Sequence, residues 1–103
     1  MSFGLRDSDI EEIRNALRRF PEIKRAVIFG SRAKGAQRPG SDVDIAIFGE
    51  SISFDTLAHL HYILEEDSTM PYFFDIVAYH SIDNLELKAH IDLVGIPIYT
   101  VDQ

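Results

Sequence analysis

Three aspartates in this sequence are spaced in a way that could support metal-ion chemistry. Asp42 and Asp44 lie two positions apart, and Asp75 lies in the apolar segment 73–77. Residues two apart on a strand point the same way, with backbones roughly 6.5 Å apart. Two carboxylates about 4 Å apart repel by about 4 kcal/mol at an effective dielectric constant near 20. A cation is therefore expected between them, and Mg²⁺ fits because it binds carboxylates, water and nucleotide oxygens.

A glycine–serine pair upstream has the residue types of a phosphate-binding turn. Gly30 closes the apolar run 26–29 and Ser31 follows it. Glycine lets the backbone turn sharply and approach a ligand closely, while the serine hydroxyl can donate a hydrogen bond to a phosphate. Arg32 and Lys34 would add positive charge. An ordinary junction between a strand and a turn would explain a lone Gly-Ser pair equally well, so this motif needs the aspartates beside it.

Each aspartate also has a plain structural explanation. Asp42 and Asp44 could be a solvated pair on the exposed face of an edge strand. Asp75, with apolar neighbours on both sides, is expected to be buried, where a carboxylate without a partner loses its hydration at high cost. A structural hydrogen bond would meet that need, and so would a metal shared with the other two. The second explanation predicts two metal ions roughly 3.5–4 Å apart that clamp the attacking and leaving oxygens.

Apolar periodicity predicts the elements that must position these residues. A capping box from Ser8 to Glu11 would begin the first helix, and Gly95 would end the last one. The predicted order is helix 9–19, strand 26–29, strand 42–48, helix 54–64, strand 72–79, helix 84–94 and edge strand 96–101. We therefore expect an α/β (α+β) fold, a short mixed β-sheet of three to four strands with helices packed on one face.

Length and composition limit the classes of protein that fit. A chain of 103 residues, 46% hydrophobic and 26% charged, is expected to form a single globular domain over residues 1–103. The formal net charge of -7 disfavours nucleic acid as a direct substrate, although most basic residues lie in the first 38 positions and could form a local anion site. No cysteine is present, which excludes disulfides and thiolate metal sites. Without a membrane span or leader pattern, a cytoplasmic protein is expected.

The four histidines, His59, His61, His80 and His90, show no paired spacing with a carboxylate that would indicate zinc. They are expected to have surface or packing roles.

Taken together, the motifs 30–35, 41–45 and 73–77 resemble those of the DNA polymerase beta-like nucleotidyltransferase superfamily, and the small size is similar to its minimal nucleotidyltransferase (MNT) group. The resemblance spans about residues 23–79. It implies that Asp42 and Asp44 bind two Mg²⁺ ions, with Mn²⁺ as the alternative, and that Asp75 holds one of them and activates the attacking hydroxyl. It also implies that Gly30 and Ser31 bind the terminal phosphates. Arg32, Lys34 and Ser41 are predicted to belong to the same nucleotide site; Lys34 stands where many relatives have arginine.

The same resemblance implies the reaction and the partner. An acceptor oxygen would attack the α-phosphorus of a nucleoside triphosphate, with ATP the expected donor, and pyrophosphate would leave. Larger relatives add a domain that presents the acceptor, so another protein is expected to supply that part. In the MNT group the usual partner is a HEPN-domain protein, and the pair resembles a toxin–antitoxin module.

Two other functions remain as alternatives. A non-catalytic module of the same fold would neutralise its partner by contact alone. A small-molecule nucleotidyltransferase would modify an antibiotic-like hydroxyl, and a homo-oligomer that shares its pocket between subunits would support that alternative.

Overall fold

The structure, a computed structural model, describes residues 3–101. Four strands and four helices follow one another along this part of the chain. They are α1 (Asp7–Arg18), β1 (Arg25–Phe29), α2 (Gly30–Ala33), β2 (Val43–Phe48), α3 (Phe54–Glu65), β3 (Phe74–Ala78), α4 (Leu85–Val94) and β4 (Ile96–Thr100), with a 3-10 turn at Tyr79–Ser81. None of the helices in residues 3–101 is long and apolar enough to cross a membrane.

The strands form one mixed sheet in the order β3-β2-β1-β4. β1 is antiparallel to both of its neighbours, whereas β2 and β3 are parallel. The parallel pair is joined through α3, as expected because parallel neighbours need a long crossover connection. β1 and β2 are the central strands, which explains why their sequences are almost continuously apolar. The predicted mixed sheet, including the edge strand at its end, is confirmed.

Helices cover both faces of the sheet. α1 and α3 pack on the face formed by Ala26, Ile28 and Ile45, which belongs to the larger apolar core. Val27 and Phe29 of β1 point to the opposite face of the sheet. On that face they form a smaller core with Ala46 and with Ile91 of α4. The prediction that the helices share one face is therefore wrong for α4. Its apolar stripe is short, and periodicity alone cannot assign a helix to a face.

The start of α1 differs from the prediction. Arg6, not Ser8, occupies the N-cap, and the Asp9 carboxylate accepts hydrogen bonds from the backbone N–H of Arg6 at 3.1 Å and from its side chain. Ser8 is exposed within the first turn. The buried carboxylate already bonds the amide that a capping box would satisfy, so the helix begins two residues earlier than expected.

Candidate active site

β2 and β3 place two of the three predicted carboxylates side by side. Asp44 and Asp75 are partners in the parallel register, and Phe29 of β1 is opposite Asp44 on its other side. Partners on neighbouring strands point to the same face, which here is the face that α4 partly covers. Asp42 lies directly before β2 rather than on it, and it is exposed. The sheet therefore brings Asp44 and Asp75 together, with Asp42 two residues away at the strand's start.

Asp75 is exposed, and the prediction that it is buried is wrong. β3 is an edge strand, so water reaches one side of it although the residues around Asp75 are apolar. Phe73, just before β3, is 71% exposed for the same reason. A cavity of about 420 Å³ between α3 and β3 is lined in part by Asp75, Phe54 and Leu57. Asp75 is thus accessible to a molecule that approaches along this edge.

Asp44 carries the electrostatic strain of the site. Its partial burial, followed by the negative charges of Asp75 and Asp42, raises its pKa from 3.8 to about 6, while Arg32 opposes the shift. Within residues 3–101 the carboxylates of Asp42, Asp44 and Asp75 make no hydrogen bond or ion pair. The three carboxylates repel one another and Arg32 offsets only part of that repulsion at Asp44, which is the condition that a bound cation would relieve.

The glycine–serine turn touches the carboxylate of Asp44. Gly30 has a φ of 74°, a conformation that favours glycine, and a Cβ placed on it would overlap Asp44 Oδ2. A side chain at position 30 would therefore displace the carboxylate. This contact joins two motifs that lie fourteen positions apart in the sequence, and it makes the turn and the aspartates parts of one site.

Arg32 has a different place from the one predicted for it. Its side chain is buried, 4% exposed, and donates to the backbone carbonyl of Phe3 at 2.8 Å, of Ser41 at 2.7 Å and of Asp42 at 3.2 Å. The guanidinium is therefore engaged with the backbone rather than free to contact a ligand. What it does is fix the loop that leads into β2, and with it the position of Asp42.

Arg32 contacts a chain of polar side chains, Tyr72 and then Asp9, that extends into the core. Its guanidinium carbon lies 5.2 Å from the centroid of the Tyr72 ring, and the Tyr72 hydroxyl donates to Asp9 Oδ2 at 2.9 Å. Burial by itself would raise the pKa of Asp9, yet hydrogen bonds from Arg6 and Tyr72 hold it below its ordinary value. Asp9 is therefore a charged anchor in the core that connects α1 to the loop of the site.

The remaining predicted nucleotide residues surround the turn. Ser31 is partly exposed and Lys34 is exposed, and neither side chain has a hydrogen-bonding partner in the part of the chain described. Ser41 Oγ instead accepts a hydrogen bond from the Arg38 amide at 2.8 Å, which closes the loop before β2. Ser31 and Lys34 are thus available to a ligand, whereas Ser41 stabilises a loop.

Sequence patterns did not single out His90 of α4. The Gly30 amide donates to His90 Nε2 at 3.2 Å, across sixty positions of sequence. No spacing could have revealed this contact, because it depends on how α4 packs against the sheet.

The three aspartates form only part of a metal site in this structure. Among residues 3–101, no group of three or more Asp, Glu or His side chains is gathered as a ready metal site. Asp44 and Asp75 share a face, but the exposed Asp42 side chain does not complete a cluster with them. The donor set suits a hard divalent cation, since it consists of carboxylates alone.

A sequence model of the family described as "Polymerase beta, Nucleotidyltransferase" matches residues 11–103 of the chain. The chain belongs to this nucleotidyltransferase family. The matched part contains the glycine–serine turn and all three aspartates of the site.

Relatives of this nucleotidyltransferase agree with the assignment. It is 44% identical over 64 residues to the "Putative protein adenylyltransferase MJ0435" of Methanocaldococcus jannaschii, a match that covers 61% of this chain and 67% of that protein. Its fold is similar to that of a chain in the crystal structure of a toxin–antitoxin complex with AMP-PNP. That likeness has a TM-score of 0.76 at 23% identity, over 91% of this chain and 75% of the other.

A second solved structure has the same fold. It is the complex of a tri-AMPylated HEPN toxin from Shewanella oneidensis with its MNT antitoxin. The TM-score is 0.70 at 19% identity, with 91% of this chain and 71% of the other covered. The nucleotidyltransferase therefore has the fold of MNT antitoxins.

Proposed function

We propose that this nucleotidyltransferase transfers AMP from ATP to a hydroxyl group of a partner protein, and that the partner is a HEPN-type toxin. The observation that supports this most strongly is the contact between the Gly30 turn and the Asp44 carboxylate, with Asp75 beside it in register. Phosphoryl transfer needs positioning and charge stabilisation more than covalent chemistry from the protein. A glycine turn next to converging carboxylates supplies both.

Asp42, Asp44 and Asp75 are the residues that would hold Mg²⁺. The fit rests on the raised pKa of Asp44, which reflects its burial first and then the charges of Asp75 and Asp42, and on a donor set of oxygen atoms. Bound there, Mg²⁺ would neutralise phosphate charge as a Lewis acid. The exposed Asp42 and Asp75 side chains are free to turn toward a ligand, so the site can close when nucleotide and metal enter together.

Each residue of the site then has its own role in the transfer reaction. The Gly30–Ser31 turn holds the terminal phosphates: Ser31 supplies the donors, Gly30 lets the backbone approach the phosphates closely, and Lys34 adds charge at the rim of the turn. Asp75, on the open edge, accepts the proton of the acceptor hydroxyl. The acceptor oxygen forms a bond to the α-phosphorus, the bond from that phosphorus to the bridging oxygen breaks, and pyrophosphate leaves. The product is a phosphodiester between the partner's hydroxyl and AMP.

The proposal for the partner rests on the relatives. One is named a protein adenylyltransferase, and two solved structures of the same fold are toxin–antitoxin complexes, one of which contains an AMPylated HEPN toxin. An acceptor from another protein also agrees with the position of Asp75 on an exposed strand edge. On this proposal the chain is the antitoxin of the pair.

The test is a transfer assay. The purified chain is incubated with Mg²⁺, ATP and the product of the neighbouring open reading frame as the candidate HEPN partner, and the intact mass of that product is measured. We expect the mass to increase by one or more AMP groups, and we expect Asp44→Asn to abolish the increase. If the toxin is silenced without any added mass, and Asp44→Asn silences it as well as the native chain does, inhibition is by contact and the proposed transfer is wrong.

A further inference from the structure

One side chain of α4, that of His90, contacts the Gly30–Ser31 turn. His90 Nε2 accepts the backbone N–H of Gly30 at 3.2 Å, and the imidazole ring meets the ring of Phe29 edge to face, with centroids 6.0 Å apart. Phe29 is the last residue of β1 and Gly30 the first of α2. His90 therefore contacts both sides of the junction at which the strand becomes the turn.

This hydrogen bond settles which nitrogen of His90 is protonated. Because the backbone N–H of Gly30 can only donate, Nε2 of His90 must accept through a lone pair. The proton of the neutral ring must therefore lie on Nδ1. A doubly protonated imidazole has no acceptor and would break the contact. The contact therefore predicts one tautomer of His90, which an NMR spectrum can identify.

The contact acts at the residue whose rotation would disturb the site most. Gly30 holds a φ of 74°, and its backbone lies against the Asp44 carboxylate, so a small rotation there would shift both the turn and the aspartate. Glycine provides no side chain of its own to resist such a rotation. Ile91, the neighbour of His90, is buried against the sheet and anchors this part of α4. α4 is accordingly a fixed support from which His90 can hold the glycine.

We infer that His90 is a positioning residue for nucleotide binding: it fixes the Gly30 amide so that Ser31 and Asp44 stand in place before the triphosphate arrives. This inference rests on the proposed function, because it concerns the same site. His90 does not touch the reacting atoms. Holding the turn in advance removes an ordering cost that the ligand would otherwise meet on binding. The effect should therefore appear in affinity for the triphosphate and not in the rate at saturation.

The first experiment reads the contact directly in the chain without ligand. Long-range ¹H–¹⁵N spectra of the neutral imidazole should show His90 as the Nδ1–H tautomer. Hydrogen exchange of the Gly30 amide should be slow in the native chain, faster in His90→Ala, and slow again in His90→Gln, whose side-chain carbonyl can accept the same bond. An Nε2–H tautomer, or exchange of Gly30 that is equal in all three proteins, overturns the inference.

The second experiment measures binding of ATP with Mg²⁺ by calorimetry. We expect Kd to rise roughly 3- to 10-fold in His90→Ala, the range that corresponds to one neutral hydrogen bond, and to stay within about 2-fold in His90→Gln. In the transfer assay KM should rise with kcat unchanged. His59→Ala is the matched control, because His59 is an exposed helix histidine whose one hydrogen-bond, ion-pair or ring contact among residues 3–101 is a T-shaped contact with Phe20.

The outcomes separate the inference from the proposed function. Equal binding of ATP by His90→Ala would show that the contact does not prepare the turn, and tighter binding would show that the imidazole competes with phosphate for the Gly30 amide; either result overturns the inference. If the native chain binds no triphosphate, the proposed function is wrong, whereas the tautomer and the Gly30 exchange still decide whether His90 holds the turn. Because Gly30 is partly exposed, water can replace the lost acceptor, so His90→Ala is expected to remain folded.

Discussion

Replacing Asp44 with asparagine should make the protein more stable while it removes activity. Burial and the charges of Asp75 and Asp42 raise the pKa of Asp44 from 3.8 to about 6. A shift of about two units corresponds to roughly 3 kcal/mol at about 1.4 kcal/mol per unit. Since water still reaches part of the side chain and screens these charges, we expect about 2 kcal/mol. For a domain of this size that is on the order of 10 °C in Tm.

The gain should depend on pH in a defined direction. The folded chain keeps the Asp44 proton up to about pH 6, whereas the unfolded chain loses it near pH 3.8. Between these values the folded state binds more protons, so the contribution of Asp44 to stability falls as pH rises. Asparagine does not titrate. The variant and the native chain should therefore be equally stable below about pH 4 and diverge across pH 4–6, with a constant difference above that range.

Thermal and urea unfolding at pH 4, 5, 6 and 7.5, in buffer with a chelator, measure this difference. The chelator matters because a bound cation would offset the repulsion in the native chain. Asp67→Asn is the control: Asp67 is exposed, and its side chain has no partner in the described part of the chain. If Asp44→Asn brings no gain at pH 7.5, or the same gain at pH 4, the electrostatic account of the site is refuted.

Three further substitutions test how the site is held. Gly30→Ala should abolish ATP binding and cost about 1–2 kcal/mol in strain; Gly35→Ala, with φ of 73° and no atom within 4 Å of the new Cβ, should show the strain alone, and calorimetry would contradict us if both variants bound ATP equally. Arg32→Lys should lose about 2–4 kcal/mol in urea unfolding, because a single ammonium nitrogen cannot occupy the three positions from which Nε, Nη1 and Nη2 of Arg32 each donate to a different carbonyl; an unchanged midpoint would argue against the positioning role. Tyr72→Phe, which loses its hydrogen bond to the buried carboxylate of α1, should lose about 1–2 kcal/mol, and a neutral result would show that this bond is dispensable.

The mixed sheet and its individual strands could be predicted because local patterns decide them, whereas the order of the strands could not. Continuous apolar runs predict the central strands, and a helix between two strands indicates a parallel pair. Ile10, Ile13 and Leu17 are buried at the helical spacing that predicted α1. The predicted metal site also places Asp75 near Asp42 and Asp44, but the register that pairs Asp44 with Asp75 could not be read from the sequence.

Other features could not be predicted because they depend on contacts distant in sequence. Whether Asp75 is buried depends on β3 being an edge strand, and the strand order is set by the pairing of the whole sheet. Arg32 has the same residue type whether it binds a phosphate or three backbone carbonyls. His90 lies in a segment without a motif, and its role depends on the face that α4 covers. In each case the sequence shows which type of residue is present but not which residues it contacts.

The proposed activity requires that the carboxylates and the glycine turn form one site for metal and nucleotide. Crystals grown with Mn²⁺ and a non-hydrolysable ATP analogue test it directly through the anomalous signal of manganese. We predict an anomalous peak within coordination distance of Asp44 and Asp75, with the terminal phosphates against Ser31. Manganese bound elsewhere, or a nucleotide bound away from the Gly30–Ser31 turn, would contradict the account.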